Sequence, residues 1–197
     1  MSQIDFAAFD MIFGKVNPII PGGMTTNEDL QVILGFVNFF QPRRYVEFGL
    51  NEGQTARSIL AVSPSVLLYT GIDVQNDFKT RDTDQQTEVP KEAGAFIKYD
   101  SRVRMLITEH GSAYLTPQEI GEADMVFIDG DHSYEGVKKD SELARSIVKK
   151  GVIMWHDYLG PARLHDGVRR YIDEWNGKHD TICLVRGSNV CFEITGK

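Results

Sequence analysis

Apolar positions alternate along the chain between short runs rich in β-branched and aromatic residues and longer stretches with helical spacing. The short runs predict strands at about 44–48, 67–72, 103–108, 125–128 and 152–155. The longer stretches predict helices at about 26–40, 55–62, 91–99, 133–149 and 167–175, and a further helix begins at the capping box Thr116-Pro117-Gln118-Glu119. Two last runs, 181–185 and 189–194, flank Gly187-Ser188 and predict an antiparallel hairpin. Together they predict an α/β fold: a doubly wound, Rossmann-like, seven-stranded sheet, mostly parallel with a C-terminal antiparallel hairpin and helices on both faces.

A chain of 197 residues predicts a single domain. Residues 1–25 precede the first capped helix, for which Thr26 is the expected N-cap and Asp29 completes a weak capping box. This first segment is apolar for a terminus, so we expect it to pack on its own domain or on a second copy of the chain. Residues 75–90 are polar and lack periodicity, which predicts a surface loop and a candidate lid.

Charge and composition narrow the classes of partner. The formal net charge of −7 argues against nonspecific binding to nucleic acid or to anionic membranes. There is no apolar run of membrane-spanning length and no signal pattern, so we expect a cytoplasmic protein with a small-molecule partner. The two cysteines, Cys183 and Cys191, are expected to be buried thiols; a bridge across the hairpin is the alternative.

The most informative segment runs from Tyr45 to Gly53, where a buried strand ends in Glu47 and Phe48 and a turn leads into a helix. Glycines at 49 and 53 let the backbone approach a ligand closely. Asp73 ends the next strand, and this pair of acids suits a ligand with a ribose and a cationic amino acid. The spacing Gly49-x-x-x-Gly53 is a weak match to a dinucleotide fingerprint, and a plain strand-to-helix turn is the alternative.

Two further segments carry a resemblance. They are Asp124–Val137, which contains Ile-Asp-Gly-Asp-His-Ser-Tyr-Glu-Gly-Val, and Gly151–Tyr158. With the terminal hairpin, they resemble the class I S-adenosylmethionine-dependent methyltransferases, in the small-molecule O-methyltransferase branch related to macrolide-sugar and catechol enzymes. The resemblance covers about residues 22–171. It implies S-adenosyl-L-methionine as cofactor and methyl transfer to a hydroxyl of a small molecule, such as a sugar or a phenol.

The resemblance also implies a cofactor site. Glu47 would contact the methionine amino group and Asp73 the ribose hydroxyls, with Asn51 in the turn where many relatives have a middle glycine. The complete expected set of cofactor-binding residues is Glu47, Gly49, Asn51, Gly53, Asp73, Ser112, Asp129, Met24 and Thr25. Ser112 is the expected adenine contact, and a turn serine is its alternative.

A divalent metal, Mg²⁺ or Mn²⁺, is expected at Asp129, His156 and Asp157, because the two acids follow neighbouring strands and hard cations prefer carboxylates. His156 departs from the acidic or amide residue of metal-dependent relatives. Imidazole is a poor ligand for Mg²⁺ and a better one for manganese, iron or zinc. Three outcomes stay open: a different metal, another role for His156, or no metal.

Asp131 and His132 are the candidate general bases by the same resemblance. The ordinary pKa of a histidine already lies near neutral pH, so His132 could accept a proton without any shift of its pKa. The alternatives are that Asp131 or Ser133 caps the following helix and that His132 bonds the loop backbone. We expect the acids at 28 and 29 to be helix-end charges, and the histidines at 110, 165 and 179 to be surface or loop residues. Two other functions remain open: a metal-dependent hydrolase or hydroxylase, and a catalytically silent methyltransferase-like binding module.

Overall fold

The structure is a computed structural model that describes residues 1–21, 23–80 and 85–196. Its helices are α1 Phe6–Phe13, α2 Asn27–Phe40, α3 Gln54–Val62, α4 Pro117–Ile120, α5 Tyr134–Ile147 and α6 Ala162–His179, with a 3₁₀ turn at Gln85–Glu88. Its strands are β1 Ser2–Asp5, β2 Arg44–Phe48, β3 Leu68–Val74, β4 Val103–Thr108, β5 Ala123–Ile128, β6 Val148–Trp155, β7 Cys183–Arg186 and β8 Cys191–Thr195.

The strands form one sheet in the order β1-β7-β8-β6-β5-β2-β3-β4, with β8 antiparallel to both of its neighbours and every other pairing parallel. The predicted α/β fold with its terminal hairpin is confirmed. The expected seven strands become eight, because Ser2–Asp5 adds to the edge beside β7. That short polar run has no strand periodicity, and a distant parallel partner supplies its hydrogen bonds.

Alternate residues of the strands build two cores, one on each face of the sheet. Tyr45 of β2 and Phe127 of β5 face the core formed with α1, α2 and α3. Val46 and Ile128, their neighbours in sequence, face the core formed with α5 and α6. Helices therefore cover both faces, as predicted.

The prediction of a helix at 91–99 is wrong. This segment forms successive turns, with Ile97 N bonded to Gly94 O and Asp100 N bonded to Ile97 O. Gly94 has φ +68°, a left-handed backbone conformation that interrupts an α-helix. The capping box at Thr116 is present, but α4 ends after one turn at Gly121, where φ is +88°.

The N-terminal segment packs on its own chain: Phe9 and Phe13 of α1 lie in the core, with ring centroids within 5 Å of Phe36. Whether a second copy also contacts this segment stays a prediction. Cys183 and Cys191 are free thiols, the second of them buried. Within the described residues no helix has the length and apolar character needed to cross a membrane.

The polar segment 75–90 is only partly described, and residues 81–84 of it lie outside the described ranges. The 3₁₀ turn Gln85–Glu88 gives the segment a short ordered element that the sequence pattern did not predict. The backbone carbonyl of Glu88 accepts a hydrogen bond from Asn51 Nδ2 at 2.8 Å. The candidate lid is thus tied to the turn after β2, while its opening and closing stay a prediction.

Candidate active site

The site lies where the strand order reverses, because β2 has β3 on one side and β5 on the other. Ligands of open α/β sheets bind at such a point, beyond the carboxyl ends of the strands. Gly49 leaves β2 with φ +87°, and a Cβ built there would lie 2.1 Å from the carbonyl oxygen of Asp129. Glycine is therefore required here by both conformation and space, and it brings the turn after β2 directly against the end of β5.

Asp73 holds this turn in place. Its Oδ2 accepts a hydrogen bond from Asn51 N at 2.5 Å, and its Oδ1 accepts one from Val74 N at 2.6 Å. Burial raises the pKa of Asp73 to about 6, although the two backbone donors oppose that shift. Asn51 itself has φ +49°, which asparagine tolerates better than most residues. The turn is thus held against the end of β3, with Gly49 N bonded to Ile72 O and Asn51 N bonded to Asp73, and Gly53 is the N-cap of α3 at φ +83°.

Glu47 is a buried acid inside the apolar face, with 1% of its surface exposed. Its Oε2 accepts a hydrogen bond from Tyr69 OH at 2.8 Å. Burial holds the pKa of Glu47 well above its usual range, the Tyr69 hydroxyl opposes this, and the nearby charges of Asp129 and Asp73 add to it. A cationic ligand group at this acid would stabilise its charged form.

The predicted cofactor residues outside the turn after β2 differ in exposure and in hydrogen bonding. Thr25 is buried, and its hydroxyl lies 2.9 Å from that of Thr55 at the start of α3, whereas Met24 is 68% exposed. Ser112 donates its hydroxyl hydrogen to Asp140, a buried acid of α5. Burial raises the pKa of Asp140 to about 7 despite that hydrogen bond.

The three predicted metal ligands meet. His156 Nδ1 lies 3.0 Å from Asp129 Oδ1 and 3.2 Å from Asp157 Oδ2. One ligand atom from each of the three residues lies within 4.8 Å of the others. Burial lowers the pKa of His156, but the surrounding carboxylates outweigh burial and hold that pKa well above its usual range.

Asp29 completes this cluster and corrects the expectation of a helix-end charge. It is 0% exposed, and its Oδ2 lies 3.1 Å from His156 Nε2. Its Oδ1 accepts a hydrogen bond from Asn189 N at 2.6 Å. The sequence held one signal for this position: Asp29 precedes Ile33 and Phe36 by four and seven residues, which places it on the apolar face of α2.

His132 is the second histidine of the site and is 8% exposed. Its Nε2 lies 3.4 Å from Asp157 Oδ2 and 3.7 Å from Asp129 Oδ1, and its Nδ1 lies 3.6 Å from Glu88 Oε2. Neither ring nitrogen has a hydrogen-bond partner among the described residues. Burial lowers the pKa of His132, but the nearby carboxylates outweigh burial and raise it above its ordinary value.

Asp131 lies outside this cluster. It is exposed, and its carboxylate accepts hydrogen bonds from Ser133 N at 2.8 Å and from Ser133 Oγ at 2.9 Å. Ser133 in turn is the N-cap of α5. The structural role foreseen as the alternative for these two residues is therefore present.

The expectation of a surface position is wrong for His165, which is buried, with Nε2 3.4 Å from Asp157 Oδ2. The kinked start of α6 turns it inward, since His165 has non-helical backbone angles there. His110 and His179 do lie at the surface. Glu88 was not foreseen as a site residue, because its neighbours in sequence form no recognisable motif.

The donor set fits a divalent cation. Asp129 and Asp157 supply carboxylate oxygens, and His156 turns Nδ1 towards them while Asp29 lies against Nε2. A carboxylate on the far nitrogen is the usual device that orients a metal-ligating imidazole. Because His156 must be neutral to bind a metal, binding would release a proton.

Comparisons with known proteins agree with this architecture. The family described as "Methyltransferase domain" matches residues 46–158, more than half of the chain. A search of curated proteins gave no match. Among solved structures, cofactor-bound Rv0187 from MTB is similar with a TM-score of 0.62 and 16% identity over 96% of this chain and 87% of that one.

Two further solved structures share the fold. The SAH-bound methyltransferase PaMTH1 of Podospora anserina has a TM-score of 0.61 and 14% identity over 88% of this chain and 80% of its own. The O-methyltransferase TomG of Streptomyces achromogenes, in complex with SAM, has a TM-score of 0.53 and 17% identity over 87% and 81%. Since the family match spans both the Gly49 turn and the His156-Asp157 pair, this chain belongs to the methyltransferase-domain family.

Proposed function

We propose that this protein transfers a methyl group from S-adenosyl-L-methionine to a hydroxyl of a small molecule, of the sugar or phenol class. The observation that carries the proposal is the placement of the buried acid Glu47 and the half-buried acid Asp73 on either side of the turn after β2. The charge of Asp129 acts on both acids, and Asp129 Oδ1 itself lies 3.7 Å from His132 Nε2. Cofactor binding and a proton acceptor are therefore neighbours.

In this proposal Glu47 receives the ammonium group of the cofactor and Asp73 receives its ribose hydroxyls. The buried, raised-pKa state of Glu47 supports an ammonium partner, because a cation offsets the cost of a charged carboxylate in a buried place. Asp73 is already aligned by two backbone N–H groups. The positions of Asn51, Gly53, Ser112, Thr25 and Met24 around the cofactor stay proposals.

Asp129, His156 and Asp157 would hold a divalent cation, which when bound lowers the pKa of an acceptor hydroxyl and orients it. With two carboxylates and one imidazole, Mn²⁺ fits this donor set better than Mg²⁺. Asp29 keeps His156 oriented towards the two acids.

His132 takes the proton of the acceptor hydroxyl at Nε2, the nitrogen that faces Asp129 and Asp157. A cation on these two acids would offset their charge, so that Nε2 keeps its lone pair while the ring hydrogen lies on Nδ1, towards Glu88 Oε2. The raised pKa of His132 suits a group that must accept a proton near neutral pH. Asp131 is the less favoured base, because Ser133 occupies its carboxylate.

The acceptor is proposed to be a small molecule and not a nucleic acid, since a net charge of −7 disfavours a polyanion. The test is formation of S-adenosylhomocysteine by purified protein given S-adenosylmethionine, Mn²⁺ and a panel of catechols, phenols and sugars. The His132→Gln variant should lose at least about 100-fold in turnover, as expected on removal of a general base, and keep cofactor affinity. His110→Gln removes a surface histidine and is the matched control.

Each other outcome points to another function. Equal turnover in His132→Gln with loss in Asp131→Asn would transfer the role of base to Asp131. Cofactor binding without turnover on any acceptor would indicate a silent binding module. Metal-dependent hydrolysis or hydroxylation with no cofactor binding would replace the proposal with the rival enzyme class.

A further inference from the structure

We propose that Glu88, His132 and His165 form a second metal site, selective for Zn²⁺, and that an ion there switches off the proposed methyl transfer. One ligand atom from each of the three side chains lies within 4.8 Å of the others. These residues come from three separate segments, and two of them play no part in the methyl transfer described above. The inhibition rests on the proposed function, whereas the metal site does not.

Electrostatics at His132 favours a cation. Two acids face Nε2, so the hydrogen of the neutral ring belongs there and the lone pair of Nδ1 points towards Glu88 Oε2, 3.6 Å away. Two electron-rich atoms thus face each other across a gap too long for a hydrogen bond. A metal ion between them could be bound by both.

Unpartnered buried nitrogens are the second observation. Both ring nitrogens of His132 and Nδ1 of His165 are buried without a hydrogen-bond partner among the described residues. The side chain of His132 is 9% exposed, and buried polar atoms of this kind call for a ligand, a water or an ion. The two rings lie close, with centroids 4.4 Å apart and planes at 82°.

The spacing and the donor types select the metal. Ligand atoms around tetrahedral zinc lie about 3.4 Å apart when each bond is about 2.1 Å. The 3.6 Å between His132 Nδ1 and Glu88 Oε2 is close to that spacing, and one donor atom of each of the three residues lies within 4.8 Å of the others. Two imidazoles and one carboxylate with an open fourth position suit zinc and disfavour Mg²⁺. Glu88 is partly exposed, which gives an ion a path from solvent.

Inhibition follows from the atom that the ion occupies. Zinc on Nδ1 of His132 leaves the ring hydrogen on Nε2, facing Asp129 and Asp157, so neither ring nitrogen keeps a lone pair for the acceptor proton. This is the carboxylate–histidine–metal arrangement, here formed on the proposed base. An ion at this site would also lie near the cofactor turn, because the backbone carbonyl of its ligand Glu88 accepts a hydrogen bond from Asn51 Nδ2.

The test is zinc titration of the full chain against a chromophoric chelator, with no cofactor or acceptor present. The Glu88→Gln/His165→Gln double variant should lose one tight zinc site, by at least about 100-fold in affinity, since two ligands are gone. His110→Gln should match the wild type. Glu88→Gln alone changes a partly exposed residue and should weaken zinc binding at the same site at least about tenfold. This single variant keeps the test valid if the double variant does not fold.

Zinc should also inhibit methyl transfer by the wild type, while the double variant should require at least about 100-fold more zinc. An unchanged number of tight sites in the double variant and unchanged affinity in Glu88→Gln would overturn the site. Methyl transfer that persists with that site saturated by zinc would overturn the switch. If no methyl transfer is found at all, the zinc stoichiometry still decides whether the site exists.

Discussion

The buried acid Asp140 gives a prediction whose size follows from the structure. It is 2% exposed, it accepts a hydrogen bond from Ser112, and burial raises its pKa to about 7, against about 4 in an unfolded chain. Between about pH 4 and pH 7, the folded protein therefore keeps a proton on Asp140 that the unfolded chain has already released. The corresponding stability is fully present below pH 4 and is lost as the pH rises through 7.

Asp140→Asn keeps the shape and the acceptor for Ser112 but cannot ionise. At about 1.4 kcal/mol per pKa unit, the unfolding free energy of the wild type relative to Asp140→Asn should fall by about 3 kcal/mol from pH 5 to pH 8. Urea unfolding of both proteins at several pH values measures this difference. Asp166→Asn, an exposed acid on α6, is the control, and its difference should stay within about 0.5 kcal/mol. Parallel pH profiles for wild type and Asp140→Asn would refute a neutral buried acid.

Three other predictions concern the cofactor turn. Asp73 has a pKa of about 6, so S-adenosylmethionine should bind up to about tenfold more weakly per pH unit below 6, and titration calorimetry of Asp73→Asn should show a flatter profile. Binding should also lower the pKa of Glu47, because an ammonium group opposes the shift that burial causes. Heats measured over a range of pH, in buffers of different ionisation enthalpy, should show a proton released on binding, and Glu47→Gln should abolish that release. Gly49→Ala should destabilise the fold by about 2 kcal/mol or more and abolish cofactor binding. The control Gly177→Ala, which lies in open space on α6, should stabilise the fold by about 0.5–1 kcal/mol. Thermal unfolding compares the two variants, and equal effects would contradict the close approach of Gly49 to Asp129.

Local pattern was enough to predict those parts of the site that follow strands. Asp129 comes directly after the buried end of β5 and Asp157 comes two residues after the end of β6, and parallel strands put such positions at one edge of the sheet. Their meeting with His156 was therefore foreseeable. The same holds for the turn at Gly49, where spacing after a strand indicates close approach of the backbone.

Contacts between distant segments were not foreseeable in the same way. Asp29 reaches His156 across 127 positions, and its type and place at a helix start are those of an ordinary surface acid. His165 depends on a local kink of α6, and Glu88 on the path of a loop. Strand β1 likewise owes its existence to a parallel partner near the other end of the chain.

Calorimetric titration of S-adenosylmethionine, with and without Mn²⁺, is the decisive test of the proposed cofactor site. We expect saturable binding by the wild type, loss of binding in the Glu47→Gln/Asp73→Asn double variant, and a heat that changes when Mn²⁺ is present. The double variant should retain the circular dichroism spectrum of the wild type. No binding by the wild type, or equal binding by a folded double variant, would contradict the cofactor site proposed for this chain.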